Sequence, residues 1–173
     1  MGCEVTVKIY TDGSHCRMGS GWAAVIVVDD VKAALIGGYK FLPTATAAEL
    51  TAIYQGLNWT MNRDIREVVL LTDSQKSTAL LTKPDATTPE ITEARIAKLI
   101  LTEMAACTDV QIRCICGDTK HRPEHRLWHR MVDSLSRQNA RTLNRMTLAK
   151  IARGEIGISR ETEKKLTRRI NLQ

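Results

Sequence analysis

Polar and apolar positions alternate from Glu4 to Tyr10, with Val5, Val7 and Ile9 on one side, and that period of two predicts a strand. Asp12-Gly13-Ser14 reads as the turn that ends it, with Asp12 closing the strand, and Gly19-Ser20-Gly21 as a second turn signal. Trp22 to Val28 is apolar and β-branched, a buried strand. Asp29-Asp30 turns the chain, and Lys32 to Phe41 reads as a third strand, so the three form an antiparallel meander. A helix capped by Thr44 or Thr46 is predicted to run to about Asn62, its apolar stripe made by Leu50, Ile53, Tyr54 and Leu57. Val68 to Leu71 is a continuous apolar run, the mark of a central strand covered on both faces. Ser74 caps a short helix to Leu81, and 82–89 is a loop. Glu90 to Ala106 has helical spacing, Val110 to Cys116 alternates again, and Arg126 to Gln138 is predicted helical.

The predicted order is β-β-β-α-β-α-α-β-α, an α/β domain over residues 1–138, followed by a basic helical extension over 139–173. A chain of 173 residues can bury a core of its own. No internal repeat, no low-complexity segment and no run of 18 apolar residues is present, so no membrane span is expected. The first residues lack a basic stretch followed by an apolar one, so no secretory signal is expected either. The five cysteines have no zinc-knuckle spacing; reduced thiols in an intracellular compartment, cytoplasmic or nuclear, are the expectation.

Charge changes the picture. The formal net charge is +6. Residues 137–173 carry ten Lys or Arg against three Glu, while residues 1–136 are close to neutral. A basic segment of this kind points to a polyanionic partner, most commonly a phosphate backbone.

Four carboxylates stand where chemistry can use them. Asp12 is placed at the end of the first strand, Glu49 in the first turns of the first helix, Asp73 at the end of the central strand, and Asp133 among Met131, Val132 and Leu135 in the late helix. Strand ends and helix starts converge at one edge of an open α/β sheet. Each residue alone is ordinary, but a buried carboxylate among apolar neighbours needs a partner. Gathered together, such groups repel, and divalent metal relieves the repulsion. An oxygen-rich, histidine-poor set favours Mg²⁺ or Mn²⁺ over Zn²⁺. Two such ions, ~3.5–4 Å apart, are suited to phosphodiester hydrolysis.

Tyr10-Thr11-Asp12-Gly13-Ser14, the Gly19 to Val25 run, Ala48-Glu49-Leu50, Leu71-Thr72-Asp73-Ser74 and Asp133-Ser134-Leu135 resemble type 1 ribonuclease H, in the family's order across roughly residues 5–138. The resemblance implies a ribonuclease H-like fold, a mixed five-stranded sheet with flanking helices. It implies a four-carboxylate site of Asp12, Glu49, Asp73 and Asp133 holding two Mg²⁺ ions. It also implies hydrolysis of the RNA strand of an RNA–DNA hybrid, leaving 3′-hydroxyl and 5′-phosphate ends. Gly13 and Ser14, Thr46, and the helix-opening Ser74 and Gln75 are the expected backbone contacts.

The chain departs from the pattern in three places. The family's His-x-Gly loop is replaced by His121-Arg122-Pro123-Glu124-His125, with His129 and Arg130 where Asn-Glu is usual. His121 is the first choice and His125 the second for a proton-shuttling histidine. The Asn-rich turn before the helix glutamate is Ala45-Thr46-Ala47. The Trp-rich basic protrusion is missing, and the short connection is similar to the ribonuclease H domains of retroelements, so the chain is expected to be related to, or cut from, a reverse transcriptase. A monomer is expected. The alternatives are a binding module of the same fold without activity, or a DNA nuclease related to integrases.

Overall fold

The computed structural model describes residues 6–61, 63–83, 92–117 and 122–157. Five strands, β1 (Thr6–Cys16), β2 (Gly19–Val28), β3 (Val31–Lys40), β4 (Glu67–Thr72) and β5 (Asp109–Cys114), form one sheet in the order β3-β2-β1-β4-β5. The first three are antiparallel neighbours, whereas β4 joins β1 and β5 joins β4 in parallel. The sheet is therefore mixed, as the resemblance implies.

Among the described residues, four helices cover it: α1 (Ala45–Met61), α2 (Gln75–Thr82), α3 (Thr92–Met104) and α4 (Pro123–Ala152). Alternation along each strand divides the core. Val7, Ile9, Ala24, Ile26, Val68 and Leu70 face Leu50, Ile53 and Leu57 of α1 and Ala94, Ala97 and Met104 of α3. Tyr10, Ala23, Val25, Val69 and Leu71 point the other way, onto Val132 of α4. The central runs in β2 and β4 are apolar throughout because both faces are covered.

Two predicted boundaries are corrected. Asp12 does not close β1; the strand continues through Asp12, Gly13 and Ser14, which pair with Ala23, Trp22 and Gly21. The Asp-Gly pair imitates a turn, but the glycine serves close packing. A Cβ on Gly13 would lie 2.1 Å from the Glu49 backbone nitrogen. The late helix does not end near Gln138 either. It runs on as one 30-residue element, with Ala140, Leu143 and Thr147 buried. Gly21 makes room for it, since a Cβ there would meet Ser136 O at 2.1 Å. Asn144 Oδ1 accepts a hydrogen bond of 3.2 Å from the Met18 amide in the β1–β2 turn. Among the described residues, no helix is long and apolar enough to cross a membrane.

Candidate active site

Parallel pairing sets the core of the site. Thr11 of β1 lies opposite Thr72 of β4, so the residues that follow, Asp12 and Asp73, emerge side by side. α1 passes over Gly13 and brings Glu49 to the same place. α4 crosses the opposite face of the sheet and contributes His129 and, one helical turn later, Asp133. Atoms of Asp12, Asp73 and His129 that can hold a cation lie within 4.8 Å of one another. His129 Nε2 is 3.1 Å from Asp73 Oδ2 and 4.0 Å from Asp12 Oδ1. This is ion-pair distance, but no hydrogen bond to this nitrogen is well aligned.

The electrostatics report the crowding. Asp12 is pushed up to about 6, first by burial and then by Asp73 and Asp133, against a hydrogen bond donated by the Ser136 hydroxyl to its Oδ2. Glu49 is pushed up to about 9 by burial and by Asp12, Asp73 and Asp133, although the Gly13 amide donates to it. Its Oε2 is buried with no hydrogen-bond partner. The contact with His129 holds Asp73 below the usual carboxylate range, and Asp73 in turn raises His129. Arg137 Nε binds Asp133 Oδ1 at 2.8 Å. An orphaned carboxylate oxygen beside three other acidic groups fits a hard divalent cation, whose charge would remove the mutual repulsion. Among the described residues, the atoms close enough to share one cation come from Asp12, Asp73 and His129, with Glu49 and Asp133 outside that set.

A family model for RNase H matches residues 4–141. The chain belongs to the RNase H family. A search of curated proteins gives no match. Among solved structures, RNase H1 from the halophilic archaeon Halobacterium salinarum NRC-1 is 21% identical, with a TM-score of 0.59 over 78% of this chain and 96% of that one. LC11-RNase H1, solved with an RNA/DNA hybrid, is 17% identical, with a TM-score of 0.62 over 79% and 97% of the two chains. The foamy viral protease–reverse transcriptase, also solved with an RNA/DNA hybrid, is 17% identical, with a TM-score of 0.61 over 80% of this chain and 20% of that one. At these identities the likeness shows the fold.

In this RNase H the other expected residues fall as follows. His121 lies outside the described residues. His125 is buried, and its Nδ1 shares a 2.9 Å hydrogen bond with the Tyr10 hydroxyl beneath the sheet, so it is engaged as a core residue. Thr44, not Thr46, caps α1, its Oγ1 accepting from the Ala47 amide at 3.1 Å. Thr46 is half-buried in the first turn. Ser74 caps α2, accepting from the Ser77 amide at 3.2 Å, and Gln75 opens that helix on the exposed side. Gly13 and Ser14 are half-buried within β1.

His129 and Ser136 are the residues that sequence reasoning missed. Both carry a signal: they lie four residues before and three after Asp133 on one helix, positions that share a face.

The titrations give a first expectation. A group with a raised native pKa keeps its proton in the folded chain after the unfolded chain has lost it, so stability falls as pH rises across that interval. For Glu49 the interval runs from 4.5 to about 9. For His129 it begins at 6.5. Asp73, shifted down, gives up its contribution only below its ordinary value of 3.8. In chelator, the melting temperature is therefore expected to fall by about 5 °C or more between pH 6.5 and 9. Mg²⁺, which binds the deprotonated ligands, should flatten the decline, and so should Glu49→Gln. A flat or rising profile for the metal-free wild type would contradict this picture of the cluster.

Proposed function

We propose that this chain is a metal-dependent endoribonuclease that hydrolyses the RNA strand of RNA–DNA hybrids, leaving 3′-hydroxyl and 5′-phosphate ends. Membership of the RNase H family supports the activity class. The observation that carries the reading is the convergence of Asp12, Glu49, Asp73 and Asp133, from four separate elements, on one half-buried spot where an acidic oxygen has no partner. A binding module without activity has no use for so costly an arrangement.

The proposed cofactor is Mg²⁺, two ions, with Mn²⁺ also accepted because carboxylate oxygens suit both. When bound, such ions activate water and stabilise the leaving oxygen of a phosphodiester. The protein's own groups prepare the site. Ser136 orients Asp12, the Gly13 amide orients Glu49, and Arg137 holds Asp133. Proton transfer is assigned to His121, because His125 is enclosed with Tyr10 and His129 faces the carboxylates. The backbone at Gly13 and Ser14 and the α1 start at Thr46 are assigned to the RNA strand. The α2 N-terminus at Ser74 and Gln75 is assigned to a phosphate. The foamy viral reverse transcriptase, solved with an RNA/DNA hybrid, supports a hybrid as partner and a kinship with reverse transcriptases.

The test is cleavage of an end-labelled hybrid beside matched duplex DNA and duplex RNA. Cleavage confined to the RNA strand of the hybrid, with 5′-phosphate products, is the expected result. Equal cleavage of duplex DNA would replace the ribonuclease reading by a DNA nuclease, and binding without cleavage of any substrate by an inactive module.

A further inference from the structure

The helix that carries Asp133 also carries an arginine row, of which the site uses Arg137 alone. Arg126, Arg130, Arg137, Arg141 and Arg145 of α4 are all exposed. At 100° per residue they fall within one arc of about 100°. Val132, Ser136, Ala140, Leu143 and Thr147, the face that α4 buries on the sheet, occupy a separate arc roughly a third of a turn away. Asp133 lies between the two arcs, and His129 falls within the buried one. The row therefore runs past the carboxylate cluster and on along the helix beyond it. From Arg126 to Arg145 it spans about 28 Å, close to one turn of a nucleic-acid duplex.

Among the described residues, most of the charge on this row is not spent on acidic partners. Arg137 pairs with Asp133; among the described residues, Arg126, Arg130, Arg141 and Arg145 have no acidic partner. The support beneath them is rigid. Glycines at 19 and 21 let α4 approach the sheet closely, and Asn144, between Arg141 and Arg145, is tied to Met18 in the β1–β2 turn. That turn adds the exposed Arg17 beside the row. Guanidinium groups at near-regular intervals on a fixed rod match a polyanion with regularly spaced phosphates.

We infer that this face of α4 is a track for the phosphate backbone of the hybrid, gripping the duplex for about a turn beyond the scissile bond. The inference rests on the proposed hybrid-cleaving function for the identity of its occupant. An anionic membrane would also attract arginines, but a membrane gives no reason for the row to flank Asp133.

The test compares the full chain with Arg126→Gln/Arg141→Gln/Arg145→Gln. A fluorescent 20-base-pair RNA–DNA hybrid is titrated in chelator at several salt concentrations. The wild type should show a steep dependence of log Kd on log salt. The variant, with an unchanged melting temperature as its folding control, should bind about tenfold or more weakly near 0.1 M salt. Its salt slope should fall by about 2 to 3, as three lost phosphate contacts require. An unchanged slope and affinity in a folded variant would overturn the track. Tighter binding of the wild type to vesicles of anionic phospholipid than to the hybrid would also overturn it. Wild-type cleavage of the hybrid, run alongside, separates the two claims. Cleavage with an unchanged slope sinks the track alone, whereas a reduced slope without wild-type cleavage upholds the track and sinks the enzyme.

Discussion

Asp73→Asn is expected to lower hybrid cleavage by at least about a thousandfold while the protein stays folded and still binds hybrid. The substitution keeps the shape of the side chain and removes its charge. It takes one oxygen from the space shared by Asp12, Asp73 and His129, where the atoms lie within 4.8 Å, and it strips His129 of its nearest anion. A loss of about 4 kcal/mol in transition-state stabilisation corresponds to this factor. It is of the size expected when a preorganised electrostatic element is removed. Stability in chelator should fall modestly, because the contact with His129 that favours the Asp73 carboxylate is lost. Single-turnover kinetics with saturating hybrid, beside a thermal melt, provide the check. Activity within tenfold of wild type would remove Asp73 from the chemistry.

Gly13→Ala is expected to damage the enzyme from outside its set of carboxylates. The added methyl would lie 2.1 Å from Glu49 N, 2.3 Å from Ala48 C and 2.6 Å from Glu49 Cα. These are backbone atoms of a helix packed on the sheet, with no flexible side chain to swing aside. α1 must lift by an ångström or more at its first turn, and Glu49 moves with it, away from Asp12 and from the Gly13 amide that orients it. Overpacking of this kind costs about 1–3 kcal/mol of stability. A displacement of about 1 Å at a catalytic group costs roughly a hundredfold in rate. Gly157→Ala is the control, since a Cβ there meets nothing within 4 Å. A Gly13→Ala protein with wild-type melting and cleavage would show that the contact between α1 and β1 does not set the position of Glu49.

The same glycine marks where local sequence rules reach their limit. Element order, the two covered strands and the apolar stripe of α1 are legible in period and composition, because core burial imposes those periods directly. Asp12-Gly13-Ser14 misleads because Asp-Gly is turn chemistry in isolation, and the need for a missing side chain arises only when a helix 36 residues away lands on it. The length of α4 is misread for a different reason. A change to basic composition after Arg137 suggests a new segment, yet no Gly or Pro interrupts the helix before Gly154. Ala140, Leu143 and Thr147 continue the buried spacing of Val132 and Ser136. Charge altered one face and left the other intact.

The histidines show the same division. His125 is near Asp133 in sequence, but its side chain turns under the sheet to Tyr10, whose hydroxyl is raised to about 12 mainly by burial. His129, one turn further along, faces the carboxylates instead. The two share a helix face, and the rise of one turn separates them: His125 meets Tyr10, whereas His129 reaches Asp73. Asp12, Asp73, Glu49 and Asp133 are legible as a set only through the order of their motifs, since four elements far apart in the chain deliver them.

The measurement that bears most directly on the account is recovery of cleavage in protein stripped of metal. Wild-type protein treated with chelator and dialysed should leave labelled hybrid intact. Millimolar Mg²⁺ should then restore scission of its RNA strand, with Asp73→Asn silent under both conditions. Cleavage by the stripped wild type that is indifferent to added Mg²⁺ and Mn²⁺ would contradict the claim that these carboxylates exist to hold divalent cations.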